Sequence, residues 1–168
     1  MDTVKEIRII TTGGTFDKQY NPIEGQLTFN KSNLPHIIEC SRCTTPIELE
    51  GPLAIDSLYM SDEQRAHIVE RILSSPEKKV IVVHGTDTMC KTAELCKSLR
   101  TCDDTHTIVF TGAMVPYSLI DSDAVYNLGC AQMAVQLLPQ GVYVVMNGKA
   151  FEAGHVVKNT KQGVFVEK

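Results

Sequence analysis

The sequence predicts a single α/β domain over residues 1–168, with a mostly parallel sheet and helices on both of its faces. Two observations support this prediction. Strand-like and helix-like runs alternate along the chain, and three of the strand-like runs are almost wholly apolar: 78–84, 107–113 and 141–147. Continuous apolar strands are typical of parallel sheets that are buried on both faces. The βα alternation places helices on both sides of such a sheet.

The first third of the chain contains one clear strand and a long polar segment. The run IRIITT at 7–12 is predicted to be a buried strand that ends at a pair of glycines. Residues 15–31 are predicted to form a long polar loop, because they are rich in polar residues and contain a proline and a glycine. A short helix over 33–40 and an interrupted strand over 47–55 follow.

Helices and strands alternate regularly from residue 61 onward. A helix is predicted over 61–75, where Ser61 and Gln64 form a capping-box pattern and apolar residues recur on one helical face. The remaining predicted elements are strand 78–84, helix 86–100, strand 107–113, helix 121–138, strand 141–147 and two short trailing strands at 153–157 and 163–168.

Composition argues against several classes of protein. The net charge is −4 at pH 7 and the pI is near 5.7. Nucleic-acid binding is therefore not expected, because no basic stripe is available to neutralise phosphates. No stretch approaches the roughly 18 apolar residues of a membrane span, so no membrane association is expected. The start MDTVKEIRII lacks the features of a signal peptide, and a cytoplasmic location is expected.

Six cysteines are present, and reduced thiols are expected in a chain without an export signal. Cys40 and Cys43 form one C-x-x-C pair. Two facing pairs would be typical of a zinc site. A single pair leaves two interpretations open, a metal or redox role and a role as loop and core thiols.

Three polar, glycine-containing segments follow strands of the predicted sheet. They are TTGGT at 11–15, HGTDT at 84–88 and TGAM at 111–114. In α/β sheets of this kind, ligands bind beyond the carboxyl ends of the strands. The three segments are therefore expected to converge on one crevice.

Each polar residue in these segments has a structural interpretation beside a functional one. TTGGT is neither a Walker motif nor a dinucleotide fingerprint, so Thr15 is either a turn cap or a nucleophile that a base or cation activates. Thr86 could be a helix N-cap, with Asp87 favoured at the positive end of the helix dipole. His84 is interpreted as a satisfied core or edge histidine. Lys158 would be an ordinary solvated side chain unless it points at the crevice.

Taken together, the motifs resemble those of the bacterial-type L-asparaginase/glutaminase family. TTGGT, HGTDTM, TGAM followed by Pro116, YNL at 126–128 and VVMNGKAFEAGHVVKNT occur in the family's order. The resemblance covers essentially the whole chain, but only the family's N-terminal lobe, which is flavodoxin-like or Rossmann-like. Typical members add a C-terminal domain, so this chain is expected to be a short single-lobe form without it, or a truncation.

The resemblance implies catalytic roles for individual residues. Thr15 matches the family's first threonine, the usual candidate nucleophile. Thr86, Asp87 and Lys158 match its second triad, and either threonine could be the nucleophile. Asp87 also matches the acid that holds the α-ammonium of the substrate. Neither a metal nor an organic cofactor is implied.

Other positions match substrate-binding residues of the family. Gly14 belongs to the glycine turn, which brings backbone N–H groups close to a ligand. Ser57 matches the serine that binds the α-carboxylate, and Ala113 matches the small residue beside the departing amide. Tyr20 matches the loop tyrosine that partners the first threonine, at a shorter spacing from Thr15.

Two departures separate this chain from the family's pattern. Leu58 occupies the position of a glutamine that binds the α-ammonium. The glutamate and asparagine that a neighbouring subunit's C-terminal domain contributes have no counterpart here. The missing lobe is expected to leave apolar surface uncovered, which favours a homodimer or homotetramer.

The implied reaction is hydrolysis of L-asparagine to L-aspartate and ammonia, with minor glutaminase activity. Two alternatives stay open. One is a non-catalytic lobe that binds an amino acid or regulates another protein, and the other is an amidase subunit that acts with a partner chain.

Overall fold

The structure is a computed structural model that describes residues 4–168. Its strands are β1 Ile7–Thr11, β2 Lys18–Asn21, β3 Gln26–Phe29, β4 Ile47–Glu50, β5 Lys79–Val83, β6 Thr107–Thr111, β7 Gly141–Met146, β8 Lys149–Glu152, β9 Val156–Asn159 and β10 Val164–Glu167. Its helices are α1 Gly14–Asp17, α2 Leu34–Cys40, α3 Asp62–Leu73, α4 Met89–Leu99 and α5 Ala124–Leu137, with a short 3₁₀ turn at Ser57–Tyr59.

The main sheet has six strands in the order β4-β1-β5-β6-β7-β8. The first five run parallel, and β8 is antiparallel to β7. Alternate residues of the central strands enter two separate cores. In β5, Val80 and Val82 pack on the face that carries α3 and α4, whereas Ile81 and Val83 pack on the face that carries α2 and α5. The predicted α/β fold, with a mostly parallel sheet between helices, is confirmed.

The prediction of a long loop over 15–31 was wrong. This segment contains the single turn of α1 and then an antiparallel hairpin of β2 and β3, with Lys18 opposite Phe29 and Asn21 opposite Gln26. The hairpin is closed by Asn21, whose side chain accepts hydrogen bonds from the N–H groups of Ile23 and Glu24. Its strands lie outside the main sheet and are only four residues long each. Leu27 and Phe29 alternate with polar residues in β3, but this run is too short to mark a strand within a polar segment.

The sequence analysis also missed β8, which pairs with β7 through the turn Asn147–Gly148. Both turn residues have positive φ, 55° and 73°. This conformation is typical of a two-residue hairpin turn, and Asn-Gly is its strongest sequence signal. The two trailing strands were predicted correctly in kind, and as β9 and β10 they form a separate two-stranded sheet.

The helix predicted over 86–100 begins three residues later than expected, at Met89. Its N-cap residue is Thr88, not Thr86. Thr86 and Asp87 instead lie in the turn between β5 and α4, where their side chains are free to make other contacts. Across residues 4–168, no helix combines the length and apolarity that a membrane crossing requires.

The first two glycine-containing segments touch each other through their backbones. Gly14 has a φ of +68°, and a Cβ at this position would lie 2.6 Å from both the Cα and the N of Gly85. A Cβ on Gly85 would in turn lie 2.5 Å from the Oγ of Ser57. Neither glycine can carry a side chain without moving its neighbour, because the packing leaves no room for one.

Gly14→Ala should therefore destabilise the protein much more than Gly25→Ala. Gly25 has almost the same φ, +67°, but a Cβ there would meet nothing within 4 Å. Both alanines incur a left-handed conformational cost of about 1–2 kcal/mol. Only Gly14→Ala adds overlap with backbone atoms, which costs about 1–3 kcal/mol more. Urea-unfolding curves measure the difference, and equal free energies of unfolding for the two variants would contradict the close approach.

Candidate active site

The three glycine-containing segments meet at the carboxyl edge of the sheet, as predicted. The N–H of Thr12 donates to the carbonyl of Val83 at 2.9 Å, and the N–H of His84 donates to the carbonyl of Thr111 at 2.9 Å. These two bonds continue the parallel ladder past the ends of β1, β5 and β6. The N–H of Gly14 donates to the carbonyl of Ile55 at 2.9 Å, which brings the segment before Ser57 to the same edge.

A threonine, an aspartate and a lysine are joined at this edge. The Nζ of Lys158 lies 2.8 Å from the Oγ1 of Thr86 and 2.8 Å from the Oδ1 of Asp87. Lys158 lies on β9, opposite Phe165 of β10. Thr86 is buried, whereas the side chain of Lys158 is 13% exposed and that of Asp87 is 39% exposed. Solvent or a ligand can therefore reach the carboxylate, and Lys158 is not a solvated surface side chain.

The direction of these hydrogen bonds defines what the cluster can do. An ammonium group has three N–H donors and no acceptor, so Lys158 donates to both Thr86 and Asp87. The hydroxyl proton of Thr86 is then free to be donated elsewhere. The carboxylate of Asp87 keeps acceptor sites for a cationic group of a ligand.

Ser57 is fixed to the same turn by two hydrogen bonds. Its Oγ accepts from the N–H of Thr88 at 3.3 Å, and its carbonyl accepts from the Oγ1 of Thr88 at 3.0 Å. Ser57 is buried and lies against Gly85. The structure therefore brings Gly14, Ser57 and the three residues of the cluster to one place.

An ion pair that the sequence analysis missed lies beside Ser57. The Nζ of Lys18 is 2.5 Å from the Oδ2 of Asp56, and the Oδ1 of Asp56 accepts from the N–H of Leu58 at 3.0 Å. Burial acts to raise the pKa of Asp56, but the bonds from Lys18 and Leu58 and the charges of Lys18 and Lys158 outweigh it and lower that pKa. Asp56 therefore stays charged and caps the 3₁₀ turn that carries Ser57.

The remaining predicted residues are placed differently. Thr15 lies on α1 and is half-buried, and Tyr20 lies on β2 with 59% of its surface exposed. Among the hydrogen bonds of residues 4–168, none involves the hydroxyl of either residue. Ala113 is buried in the same core as Phe16 and Ala124. Leu58 is 63% exposed, so it is not held in a core. The roles of these residues in substrate binding stay predictions.

The YNL motif holds the third segment in place. The amide of Asn127 donates to the carbonyl of Gly112 at 2.9 Å and to the carboxylate of Asp123 at 2.9 Å. Asp123 in turn accepts from the N–H groups of Met114 and Val115 at 2.9–3.1 Å. Asp123 was not singled out from the sequence, although a carboxylate just before a helix is a recognisable capping signal.

His84 is the satisfied core histidine that the sequence predicted. It is fully buried, its Nδ1 lies 2.8 Å from the carbonyl of Gly85, and its Nε2 lies 2.8 Å from the Oγ1 of Thr92. A carbonyl only accepts, so Nδ1 carries the proton and Nε2 accepts from Thr92. Burial, and secondarily the charge of Arg65, lower the pKa of His84 to about 4, although the bond to Gly85 opposes this.

The two cysteines of the C-x-x-C pair have different neighbours. The Sγ of Cys40 lies 3.5 Å from the Nε2 of His36, and the Sγ of Cys43 lies 2.9 Å from the Nε2 of Gln132. Within residues 4–168, no group of three or more histidine, cysteine or carboxylate side chains is arranged to hold a metal ion.

Comparison with known proteins places this chain in a family. A family model described as Asparaginase, N-terminal, matches residues 6–165. The chain is 26% identical over 171 residues to a Glutamyl-tRNA(Gln) amidotransferase subunit of Methanococcus maripaludis, a match that covers 98% of this chain and 40% of that protein. It is 30% identical over 131 residues to L-asparaginase 1 of Escherichia coli strain K12, a match that covers 74% of this chain and 38% of that protein.

A solved structure supports the fold. The thermostable L-asparaginase from Thermococcus kodakarensis superposes with a TM-score of 0.85 at 23% identity, over 96% of this chain and 51% of that chain. The present chain therefore spans about half the length of that structure and 40% or less of the two curated relatives named above.

The free energy of unfolding should fall as the pH drops below about 6.5. The unfolded chain protonates His84 near pH 6.5, whereas the folded chain does so only near pH 4. This contribution to stability is complete above pH 6.5 and is lost at up to about 1.4 kcal/mol per pH unit between the two values. His84→Gln cannot titrate, so its stability should depend less on pH. Urea unfolding at pH 7.5, 6.0 and 5.0 tests this, and parallel pH profiles for the two proteins would refute it.

Proposed function

The chain belongs to the asparaginase family, and we propose that it is an L-asparaginase that hydrolyses L-asparagine to L-aspartate and ammonia without a metal or organic cofactor. The observation that supports this most directly is the contact of Lys158 with both Thr86 and Asp87 beside Ser57. A hydroxyl, an acid and an ammonium group at the carboxyl ends of parallel strands suit amide hydrolysis. We further propose a cytoplasmic location, which the six free cysteines favour.

In this proposal the substrate is held at both ends of its amino-acid group. Its α-carboxylate lies against Ser57, near the first turn of α4, where a helix N-terminus favours negative charge. Its α-ammonium lies against the exposed carboxylate of Asp87. Only one acid is available for the ammonium in the described residues of the cluster, and Leu58 offers it no hydrogen bond. Asparagine binding is therefore expected to be weak.

The chemistry proceeds through an ester in this proposal. The hydroxyl oxygen of Thr15 or Thr86 attacks the side-chain amide carbon, and its proton passes to the amide nitrogen, which leaves as ammonia. Water then attacks the ester carbon, which releases L-aspartate and restores the hydroxyl. Backbone N–H groups at the glycine turns are suited to stabilise the negative oxygen in both steps. Lys158 orients Thr86 and is placed to assist proton transfer.

A second candidate function comes from the other relative. The match to the Glutamyl-tRNA(Gln) amidotransferase protein covers 98% of this chain, which supports the alternative of an amidase subunit that works with a partner chain. A third alternative is a lobe that binds an amino acid without turnover. Ammonia release from free asparagine by the purified chain supports the L-asparaginase. Release only with a partner supports the subunit, and binding without release supports the lobe.

Thr15→Ala and Thr86→Val should each lower ammonia release by about a hundredfold or more. A loss of this size is expected when a group that acts in the transition state is removed. Coupled detection of ammonia under saturating asparagine measures it. Thr101→Ala, at an exposed threonine, is the matched control and should retain full turnover. Near-normal turnover in both site variants would contradict the amidase assignment.

We also propose that the chain forms a homodimer or larger homo-oligomer through α5. This helix contains no charged residue over its 14 positions, although a surface helix usually carries charges on its outer face. Its exposed residues are nevertheless apolar or small: Val125, Tyr126, Gly129, Met133 and Leu137. Charged partners would find no complement on this face. A second copy of the same uncharged face would match it in an isologous interface.

Gly129 supports this occupant. A Cβ at Gly129 would meet nothing within 4 Å, so the fold of one chain does not require a glycine there. Glycine within a helix costs about 0.5–1 kcal/mol relative to alanine. A glycine in the middle of an exposed apolar face lets another backbone approach closely, which would offset that cost in an oligomer.

Met133→Glu should convert the oligomer to a monomer at micromolar concentration, because it buries an unpaired carboxylate in the interface. Leu99→Glu changes an equally exposed apolar residue on α4 and should leave the oligomer intact. Light scattering measures both masses. A wild-type chain that is monomeric and fully active, or a Met133→Glu variant that stays assembled, would rule out this interface.

A further inference from the structure

We infer that Arg65 is a positioning residue that places a buried positive charge behind Ser57 and thereby selects ligands that carry a carboxylate. The inference rests on the proposed function, because it concerns the same substrate site. Arg65 belongs to α3, and its burial was not expected from the sequence pattern. Its guanidinium contacts Thr88 and Thr92 at the start of α4, where Thr88 is hydrogen-bonded to Ser57.

The guanidinium is buried with few compensating contacts. Arg65 is 2% exposed. Its Nη1 donates to the hydroxyls of Thr92 and, at 3.3 Å, Thr88, and its Nη2 donates to the carbonyl of Met60 at 3.5 Å. Its Nε has no hydrogen-bond partner. The carboxylate of Asp62 lies 3.8 Å from the Nε, and the Asp62 side chain is 78% exposed, so solvent screens much of its charge.

Two further features raise the cost of this charge. Thr88 and Thr92 form the first turn of α4, where the helix dipole disfavours a cation. His84, which shares the hydroxyl of Thr92 with Arg65, is held neutral and offers no negative charge. Burial also lowers the pKa of Arg65 itself, against the opposing effect of Asp62. A buried, poorly paired guanidinium weakens the folded state on its own, so its presence indicates that a bound group compensates it.

Thr88 connects the charge to the substrate site. Its hydroxyl accepts from Arg65 and donates to the carbonyl of Ser57 at 3.0 Å, while its N–H donates to the Oγ of Ser57 at 3.3 Å. The positive charge therefore lies one residue behind the serine, and it adds to the field of the α4 N-terminus. An anion bound at Ser57 would compensate both the charge of the guanidinium and the field of the α4 N-terminus. A ligand without a carboxylate gains nothing from this field.

The test compares two amides that differ only in the carboxylate, L-asparagine and 3-aminopropanamide. Arg65→Met should raise the KM for asparagine about tenfold with kcat little changed, because a positive charge one residue behind the serine acts on the bound carboxylate in both ground and transition states. The kcat/KM for 3-aminopropanamide should stay within about twofold. Arg65→Lys keeps the positive charge but lacks the planar guanidinium and its several N–H donors. It should recover most of the asparagine affinity.

A purely structural role would give a different result. Arg65→Met should unfold at a temperature no lower than the wild type in the absence of ligand, since it removes a costly charge. It should also gain less thermal stability from L-aspartate than the wild type does. Arg71→Met is the control, because Arg71 lies on the same helix but its exposed guanidinium is paired with Glu50. This variant should not change the kinetic constants for either amide. Equal losses of kcat/KM for the two amides in Arg65→Met, or no loss for either amide, would overturn the inference.

A measurement of aspartate binding distinguishes a failure of this inference from a failure of the proposed function. Calorimetric titration of L-aspartate into wild type, Arg65→Lys and Arg65→Gln needs no turnover, and Arg65→Gln replaces Arg65→Met if the latter does not fold. If the wild type binds aspartate but releases no ammonia, the L-asparaginase assignment fails while a weaker Arg65→Gln complex still supports the role of Arg65. Equal aspartate affinity in all three proteins overturns that role even in an active enzyme. A wild type that binds no aspartate overturns the role of Arg65, and ammonia release then decides the L-asparaginase assignment by itself.

Discussion

The contact between the backbones of Gly14 and Gly85 is the constraint on which the site depends. A side chain at either position would occupy space that backbone atoms or Ser57 already fill, so two strand ends that are distant in sequence can approach only as glycine. When the two glycine backbones are in contact, the residues that follow them, Thr15 and Thr86, begin at neighbouring points on the same edge of the sheet. The apolar cores on the two faces of the sheet hold this edge rigid, because close-packed interiors do not yield to small displacements. The positions of the polar side chains at this edge are therefore set by two glycines, which have no functional group of their own.

Around this contact, the backbone and side-chain groups of the turns are satisfied by one another. Asp123 and Asn127 hold the TGAM segment, Asp56 caps the turn before Ser57, and Thr88 joins Ser57 to α4. Such a network costs little when every member has a partner and much when one member is lost. It also explains why Thr86 is not a helix cap. Thr88 occupies the N-cap position, but its hydroxyl contacts Ser57 and makes no capping hydrogen bond, while the hydroxyl of Thr86 contacts Lys158. The two threonines make different contacts because of the backbone conformation of the turn. From the sequence, each of them could be interpreted as a helix cap.

The predictable parts of this protein are those with a strong periodic or apolar signal. The strands β5, β6 and β7 are continuous apolar runs, and their order and parallel direction follow from the helices between them. The convergence of the three segments was also predictable, because parallel strands end on one edge. The hairpin of β2 and β3 was not, since its strands are only four residues long and lie outside the main sheet. Asn147 and Gly148 carried a turn signal for β8 that was overlooked. The burial of Arg65 depends on how α3 rotates against α4, and the direction of Lys158 depends on the β9–β10 ribbon, which no local pattern encodes.

The hydrogen bond between Lys158 and Thr86 spans 72 positions of the chain. During synthesis the strands β1, β4, β5 and β6 can pair while Lys158 has not yet been added, because none of their contacts requires it. A nascent chain at that stage has no cluster at the edge of its sheet. The site is completed only when the β9–β10 ribbon folds back over the turn after β5. The cluster therefore forms only after most of the domain has been synthesised, and a proteolytic cut that removed the ribbon would take Val156 and Phe165 out of the core together with the lysine that contacts Thr86.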